Sequence, residues 1–282
     1  MGFFDLFKEK LSQPEIHENE SDLILTNGVH ILNACKNVKL LSKAIVLEAT
    51  DTHFEVVGGK SKLQIFNSGS IDEISGSAKV GLIKTGSVLV VCNKAKITTV
   101  NDCFFEYVKD KAKIGTFNNG EIKFLDGKAH ISTINNGKFM FVRDKAKIST
   151  MIDGEITGLL NNTELTTMMN GNITYVLNSS TIGTINNGQI GELCDSGEIQ
   201  TMNNGSLSFL RGKAVVCQQI AGEIKNKSKL TNVIYSQQDN GYTNLLKKAR
   251  EEKLKQETLE TQNEKDAVEE TFEDVEEQEK EK

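Results

Sequence analysis

The sequence has no Trp, a single Pro and few aromatic residues of any kind. Its 282 residues include 13 Phe and 4 Tyr, and aromatic residues make up only 6% of the chain. A chain of this length can bury a sizeable core. That core therefore has to be built mainly from Ile, Val, Leu, Met and Ala, which argues against an ordinary large enzyme domain.

Long apolar segments and paired cysteines are also missing. No apolar run approaches the roughly 18 residues that a membrane span needs, and there is no secretory hydrophobic region. We therefore expect a cytoplasmic protein. The cysteines are odd in number and lack CxxC spacing, which predicts reduced, mostly buried thiols and no disulfide or zinc site. They are Cys35, Cys92, Cys103, Cys194 and Cys217.

What the sequence does contain is an internal repeat with a fixed period of 17 residues. Stretches such as AKIGTFNNGEIKFL from Ala112 and AHISTINNGKFMFV from Ala129 align without insertion. Counting in steps of this period from one Ile gives an apolar residue at every step. These anchor residues are Val29, Val46, Leu63, Val80, Ile97, Ile114, Ile131, Ile148, Leu165, Ile182, Ile199 and Val216.

Other columns of the repeat are equally selective. A small residue, usually Ala, lies two positions before the anchor, and apolar residues lie eight and eleven positions after it. This pattern predicts that each such set of equivalent residues, called a rank, faces the interior. From Ile114 to Ile199 an Asn-Gly or Asp-Gly pair follows the anchor by five and six positions, and from Val80 to Ile199 an Asn, Asp or Gly follows it by thirteen. These residues tolerate positive φ at low cost. The chain therefore turns at fixed points in every repeat.

Short β-branched segments between fixed turns predict an all-β fold, a single-stranded β-solenoid or β-helix of about twelve 17-residue rungs spanning residues 23–235. Equivalent residues then stack about 4.8 Å apart. We expect the stacked Asn side chains of the turns to share amide hydrogen bonds. They are Asn119, Asn136, Asn170, Asn187 and Asn204.

Residues 1–22 form an amphipathic leader and linker. Phe3, Phe4, Phe7 and Leu11 share one helical face, and an acidic stretch from Glu15 separates the leader from the solenoid. One interpretation is a short helix that covers the first rung. The other is a membrane anchor at the inner face of the membrane, although its net charge is too small for strong attraction to anionic lipid.

The composition of residues 236–282 predicts an acidic, partly helical or disordered tail. Residues 241–282 contain 14 acidic and 8 basic groups, so they account for the whole net charge of −6. A solubilising role is the simplest interpretation. The segment 242–249 is apolar enough to pack over the last rung.

No catalytic motif and no paired acids on neighbouring rungs are present, so we expect no enzymatic activity, cofactor, metal or small-molecule substrate. A basic ladder is the main charged feature of the rungs. It consists of Lys94, Lys96, Lys111, Lys113, Lys128, Lys145 and Lys147, with His130 in the same ranks. Its charge is balanced by Asp110, Asp126 and Asp144, by an anionic polymer or by the acidic tail.

Tandem rungs of this length, with the leader MGFFDLFKEK and charged tails, resemble the bactofilins, bacterial cytoskeletal proteins with a β-helical core. The resemblance lies in the architecture of residues 23–235 and in the leader, which is similar to the membrane-targeting peptide of some members. It implies a scaffold that assembles end to end without nucleotide and has no catalytic residues.

The sequence therefore predicts a structural scaffold whose first partner is another copy of itself. The exposed edge at the C-terminal end would be the polymer interface. Its residues are Ile224, Leu230, Val233, Ile234 and Tyr235. Two other functions stay open, a phage or cell-surface fibre shaft and a carbohydrate-active solenoid enzyme.

Overall fold

The computed structural model is an all-β protein whose chain winds into a parallel β-solenoid of about 13 turns. It describes residues 13–228 and the backbone of residues 232–233. From Val46 onward the rungs stack at the predicted 17-residue spacing. Ile97 therefore pairs with Ile114, and Ile131 pairs with Ile148. The predicted fold class is confirmed.

The strands of the first half are β1 (Glu15–Glu18), β2 (Ile24–Leu25), β3 (Val29–Asn33), β4 (Val38–Leu40), β5 (Ile45–Thr50), β6 (Thr52–Val57), β7 (Lys62–Phe66), β8 (Gly69–Ile74), β9 (Lys79–Val91), β10 (Lys96–Val108) and β11 (Lys113–Leu125). Each early rung supplies one strand to each of two columns, for example β5 to one and β6 to the other. In β9, β10 and β11 the two strands run on as one long strand.

The second half keeps two strands per rung. They are β12 (His130–Ile134), β13 (Lys138–Val142), β14 (Lys147–Met151), β15 (Glu155–Leu159), β16 (Glu164–Met168), β17 (Asn172–Val176), β18 (Thr181–Ile185), β19 (Gln189–Leu193), β20 (Glu198–Met202), β21 (Ser206–Leu210), β22 (Val215–Gln219), β23 (Glu223–Lys227) and β24 (Asn232–Val233).

The core is one continuous cluster of apolar side chains along the solenoid. The small rank before the anchor and the ranks eight and eleven after it are buried as predicted, for example Ala112, Ile122 and Leu125. Sequence analysis missed one further interior rank, three positions after the anchor. It contains Phe66, Ile83, Val100, Phe117, Ile134, Met151, Met168, Ile185 and Met202.

The Asn, Asp or Gly thirteen positions after each anchor lies in a tight turn. Asn93 has a φ of 59° and Asp110 a φ of 62°, in the left-handed region that these residues tolerate. The turn around Asn93 is closed by the amide of Ala95, which donates to the carbonyl of Cys92 at 3.2 Å. The predicted turn at this position is therefore confirmed, whereas the predicted turn at Asn119 and Gly120 lies within the continuous strand β11.

The predicted ladder of Asn side chains lies mainly in a different rank. Within residues 13–228, Asn204 and Asn187 are the one pair of the predicted set that shares an amide hydrogen bond, at 2.8 Å. More of these bonds lie in the rank one position earlier, which holds Asn101, Asn118, Asn135, Asn186 and Asn203. Such bonds join Asn101 to Asn118, Asn118 to Asn135, and Asn186 to Asn203.

The first rungs are shorter than the repeat, which corrects two predictions. Glu15 pairs with His30 and His30 pairs with Val46, so the first two steps both fall short of the regular spacing. His30, rather than Val29, therefore occupies the buried anchor rank. The stacked chain also begins at Glu15 rather than at residue 23, so the acidic stretch that was expected to be a linker belongs to the solenoid.

Candidate functional site

The N-terminal rung, residues 15–28, forms an acidic edge of the solenoid. It contains Glu15, Glu18, Glu20 and Asp22, which are all exposed, and no Lys or Arg. Among the described residues, β1 pairs only with β3, so its other edge has no strand beside it. Two large apolar side chains of this rung, Ile16 and Ile24, are each 63% exposed.

The C-terminal rung, residues 211–228, is the last rung that the structure describes in full. It is basic by contrast, and β24 stacks on its first strand, β22. It contains Arg211, Lys213, Lys225 and Lys227 against the single acid Glu223. Arg211 forms an ion pair with Glu192 of the preceding rung at 3.0 Å. Ile220, also in this rung, is 60% exposed.

The predicted polymer interface is only partly within the described residues. Ile224 lies in β23, half-buried against the end of the core. Val233 lies in β24, and its backbone stacks on that of Val216. The other members, Leu230, Ile234 and Tyr235, lie outside the described residues.

The predicted membrane anchor also lies outside the described residues, as does the acidic tail. The anchor residues are Phe3, Phe4, Phe7 and Leu11. In the part of the chain that the structure describes, no helix has the length and apolar character to cross a membrane.

The basic ladder is present and is longer than predicted. Lys96 pairs with Lys113 on the next rung, and His130 pairs with Lys147. All seven predicted lysines are exposed. The same rank continues toward the N-terminus through Lys79 and Lys62, which the sequence analysis did not include.

The turn carboxylates do not neutralise this ladder by direct contact. The carboxylate of Asp126 accepts hydrogen bonds from Nε and Nη2 of Arg143, at 2.8 and 2.7 Å, and Asp110 accepts a hydrogen bond from the amide of Asn93. Within residues 13–228, Lys147 is the one predicted ladder lysine in an ion pair, and its partner is Glu164. The other six predicted lysines form no ion pair with an acid of residues 13–228.

The pKa of His130 responds to this environment. Burial lowers the pKa of His130, and the positive charges of Lys113 and Lys147 lower it further. The hydrogen bond from Lys147 lowers the pKa of Glu164 in the next rung. The rank of Lys96, Lys113, His130 and Lys147 therefore continues with an acid, Glu164, on the next rung.

An aromatic stack on the outer surface was not predicted. The rings of Tyr107, Phe124 and Phe141 occupy one rank of three successive rungs, with centroids 5.0 and 6.2 Å apart. The guanidinium of Arg143 lies 4.4 Å from the ring centre of Phe124 while it pairs with Asp126. Tyr107, Phe124 and Phe141 are separated by one repeat each, and this spacing in the sequence could have revealed the stack.

The cysteines are all free, as predicted, and four of the five are buried. Burial raises the pKa of Cys103 to about 12, so this thiol stays protonated and unreactive at neutral pH.

The histidines looked dispersed in the sequence, but the fold brings two of them together. Ligand atoms of Glu15, His17 and His30 all lie within 4.8 Å of one another, in the first two rungs. The prediction of no metal-binding residues did not anticipate this cluster. Glu15 and His30 fall in one rank only when the first step is counted as shorter than the later ones.

Comparison of this chain with protein-family models, with curated proteins and with solved structures yields no match.

Proposed function

We propose that this protein is a structural scaffold that assembles head to tail into filaments without nucleotide. The observation that carries the proposal is the complementarity of the two end rungs. The N-terminal rung has four exposed acids and no Lys or Arg, whereas the C-terminal rung has four basic residues and one acid. Opposite charges at two ends of a molecule favour contact between copies and set its direction.

Apolar exposure supports the same contact. The three large apolar side chains with the highest exposed fractions among the described residues are Ile16, Ile24 and Ile220, all in the end rungs. A further copy stacked on either end would cover them, and burial of apolar area is the main favourable term in association.

The direction of the strands determines the form of the assembly. The end strands pair in parallel with their neighbours, and unpaired strand edges accept further strands. A contact between two different ends is heterologous, and when successive copies share one solenoid axis it repeats without closing into a ring and produces a filament. In this proposal the chain acts as a bactofilin-like cytoplasmic scaffold, and the leader provides attachment to the inner face of the membrane.

Charge reversal at each end tests the proposal on the full chain. Glu18→Lys and Lys225→Glu each change one exposed charge at one end, and Lys96→Glu makes the matched change on the side of the solenoid. We expect each end variant to raise the concentration for half-assembly at least tenfold in sedimentation, and the side variant to leave it unchanged. A wild type that stays monomeric, or a discrete trimer as in a fibre shaft, would contradict the proposal.

The basic ladder favours a second role of the same scaffold, binding of an anionic polymer along its side. Its lysines repeat on successive rungs, and most lack an ion pair within residues 13–228. The test measures binding of a polyanion at several salt concentrations. Lys111→Gln with Lys113→Gln should weaken binding and reduce its salt dependence, whereas Lys123→Gln, whose lysine pairs with Glu106, should not. Equal binding by both variants would refute this role.

A further inference from the structure

The first two rungs contain polar side chains at positions that are apolar in the rest of the solenoid. Glu15 and His30 occupy the anchor rank, and His17 lies in the rank of Leu32 and Phe66. Both histidines are almost completely buried, with 6% and 5% exposure. Buried polar groups need hydrogen-bond or metal partners. Two buried histidines at positions that are apolar elsewhere therefore indicate a specific partner.

The partners of the two rings fix where their protons lie. His30 Nε2 is 2.7 Å from the carbonyl oxygen of Asn27, which can only accept, so this nitrogen donates. His17 Nδ1 lies 3.2 Å from both carboxylate oxygens of Glu20 and donates to them. The remaining nitrogens of the neutral rings, His17 Nε2 and His30 Nδ1, therefore both present lone pairs.

These two nitrogens lie close to each other and to the carboxylate of Glu15. His17 Nε2 and His30 Nδ1 are 3.2 Å apart, and one carboxylate oxygen of Glu15 is 3.7 Å from the first and 3.4 Å from the second. Two lone pairs and a carboxylate at this distance repel one another unless a cation lies between them. The cation is either a shared proton or a metal ion.

The dimensions of the triangle match a metal ion. Zinc bound at about 2.0–2.1 Å in tetrahedral geometry separates its ligand atoms by about 3.3 Å. Two imidazoles and one carboxylate are also a ligand set that zinc sites use. We propose that Glu15, His17 and His30 bind a divalent transition-metal ion of the Zn²⁺ class, with one further position open to solvent.

The groups around the triangle complete this arrangement. Ligating histidines usually donate their other ring N–H to a carboxylate or a carbonyl, which orients the ring and strengthens the ligand. Glu20 and Asn27 take these two roles. The ion would join β1 to β3 and so stabilise the first rung. The inference does not depend on assembly, because all three ligands come from one chain.

Isothermal titration of the full-length protein with Zn²⁺ tests the site. We expect one ion per chain with an affinity that Glu15→Gln and His17→Gln each lower at least 100-fold. Glu20→Gln, which removes only the supporting carboxylate, should lower the affinity by about 10- to 100-fold. Co²⁺ bound in place of Zn²⁺ should give the strong visible absorption of four-coordinate cobalt.

Two controls separate the site from other carboxylates and histidines. His53→Gln removes a histidine that contacts Asn37 and Asp72 instead of a second histidine, and Glu18→Gln removes an acid of the same strand outside the cluster. Both should bind zinc like the wild type, and circular dichroism of every variant should show the wild-type fold. No binding at 0.1 mM Zn²⁺ would show that the histidines share a proton instead, and equal binding by all variants would place the metal elsewhere. Either result overturns the proposal.

Discussion

Gly154→Ala tests whether the rungs stack as closely as the fold requires. Gly154 has a φ of 131°, and a Cβ atom added there would lie 2.5 Å from the carbonyl oxygen of Gly137 in the preceding rung. The same oxygen accepts a hydrogen bond from the amide of Glu155 at 2.9 Å. A methyl group at this position therefore strains the backbone and separates two hydrogen-bonded rungs.

The expected loss of stability follows from these contacts. A non-Gly residue in such a strained conformation costs about 1–3 kcal/mol, and weakening one ladder hydrogen bond costs about 0.5–1.5 kcal/mol. The lower entropy of the unfolded Ala chain does not offset this cost, because the native conformation does not suit Ala. We expect Gly154→Ala to lower the free energy of unfolding by about 2–4 kcal/mol.

Gly58→Ala is the matched control. A Cβ atom at Gly58 would meet only side chains, the nearest being Val56 Cγ1 at 3.1 Å, and the same rank holds Ser75 in the next rung. Urea unfolding followed by circular dichroism should show a loss below about 1 kcal/mol for this variant. If Gly154→Ala were as stable as Gly58→Ala, the argument from rung contact would be wrong.

Three further predictions concern the core, the thiols and the leader. Ile148→Asp places a carboxylate at a fully buried position and should cost several kcal/mol in urea unfolding; a wild-type midpoint would refute the assigned interior. Because burial raises the pKa of Cys103 to about 12, its alkylation in the folded protein should stay slow up to about pH 9 and become fast only in urea; rapid labelling of Cys103 in the native state would contradict this. Phe3→Glu with Phe7→Glu should release the protein from lipid vesicles without unfolding the solenoid, whereas lower stability with unchanged vesicle binding would favour the end-cap interpretation.

The sequence was sufficient for the fold because each rank of a solenoid repeats one physical requirement. At Ile114 the requirement is an apolar side chain, because the position is buried. At Gly154 it is the absence of a side chain, because the backbone of the preceding rung lies too close for a Cβ atom. The repeat alone did not show which Asn side chains contact one another. Asn118 and Asn119 are adjacent and identical in type, and only the local strand geometry places Asn118 beside Asn101 and Asn135.

The candidate sites were harder to predict because they depend on departures from the repeat. Glu15 aligns with His30 only if the first repeat is shorter than the regular one. Counting every repeat at the regular length therefore does not reveal the alignment. The pairing of Asp126 with Arg143, which leaves the ladder lysines without that partner, depends on side-chain reach. Periodicity therefore located the ladder, and the structure was needed to show which of its lysines form ion pairs.

Electron microscopy of the purified full-length protein without nucleotide tests the central claim most directly. Stacking of about 13 rungs at about 4.8 Å gives a solenoid of about 60 Å per copy. Head-to-tail assembly predicts thin filaments with an axial subunit repeat of at least that length, which shorten as salt rises from about 0.1 to 0.5 M. Single particles that do not associate at high protein concentration and low salt would contradict the account.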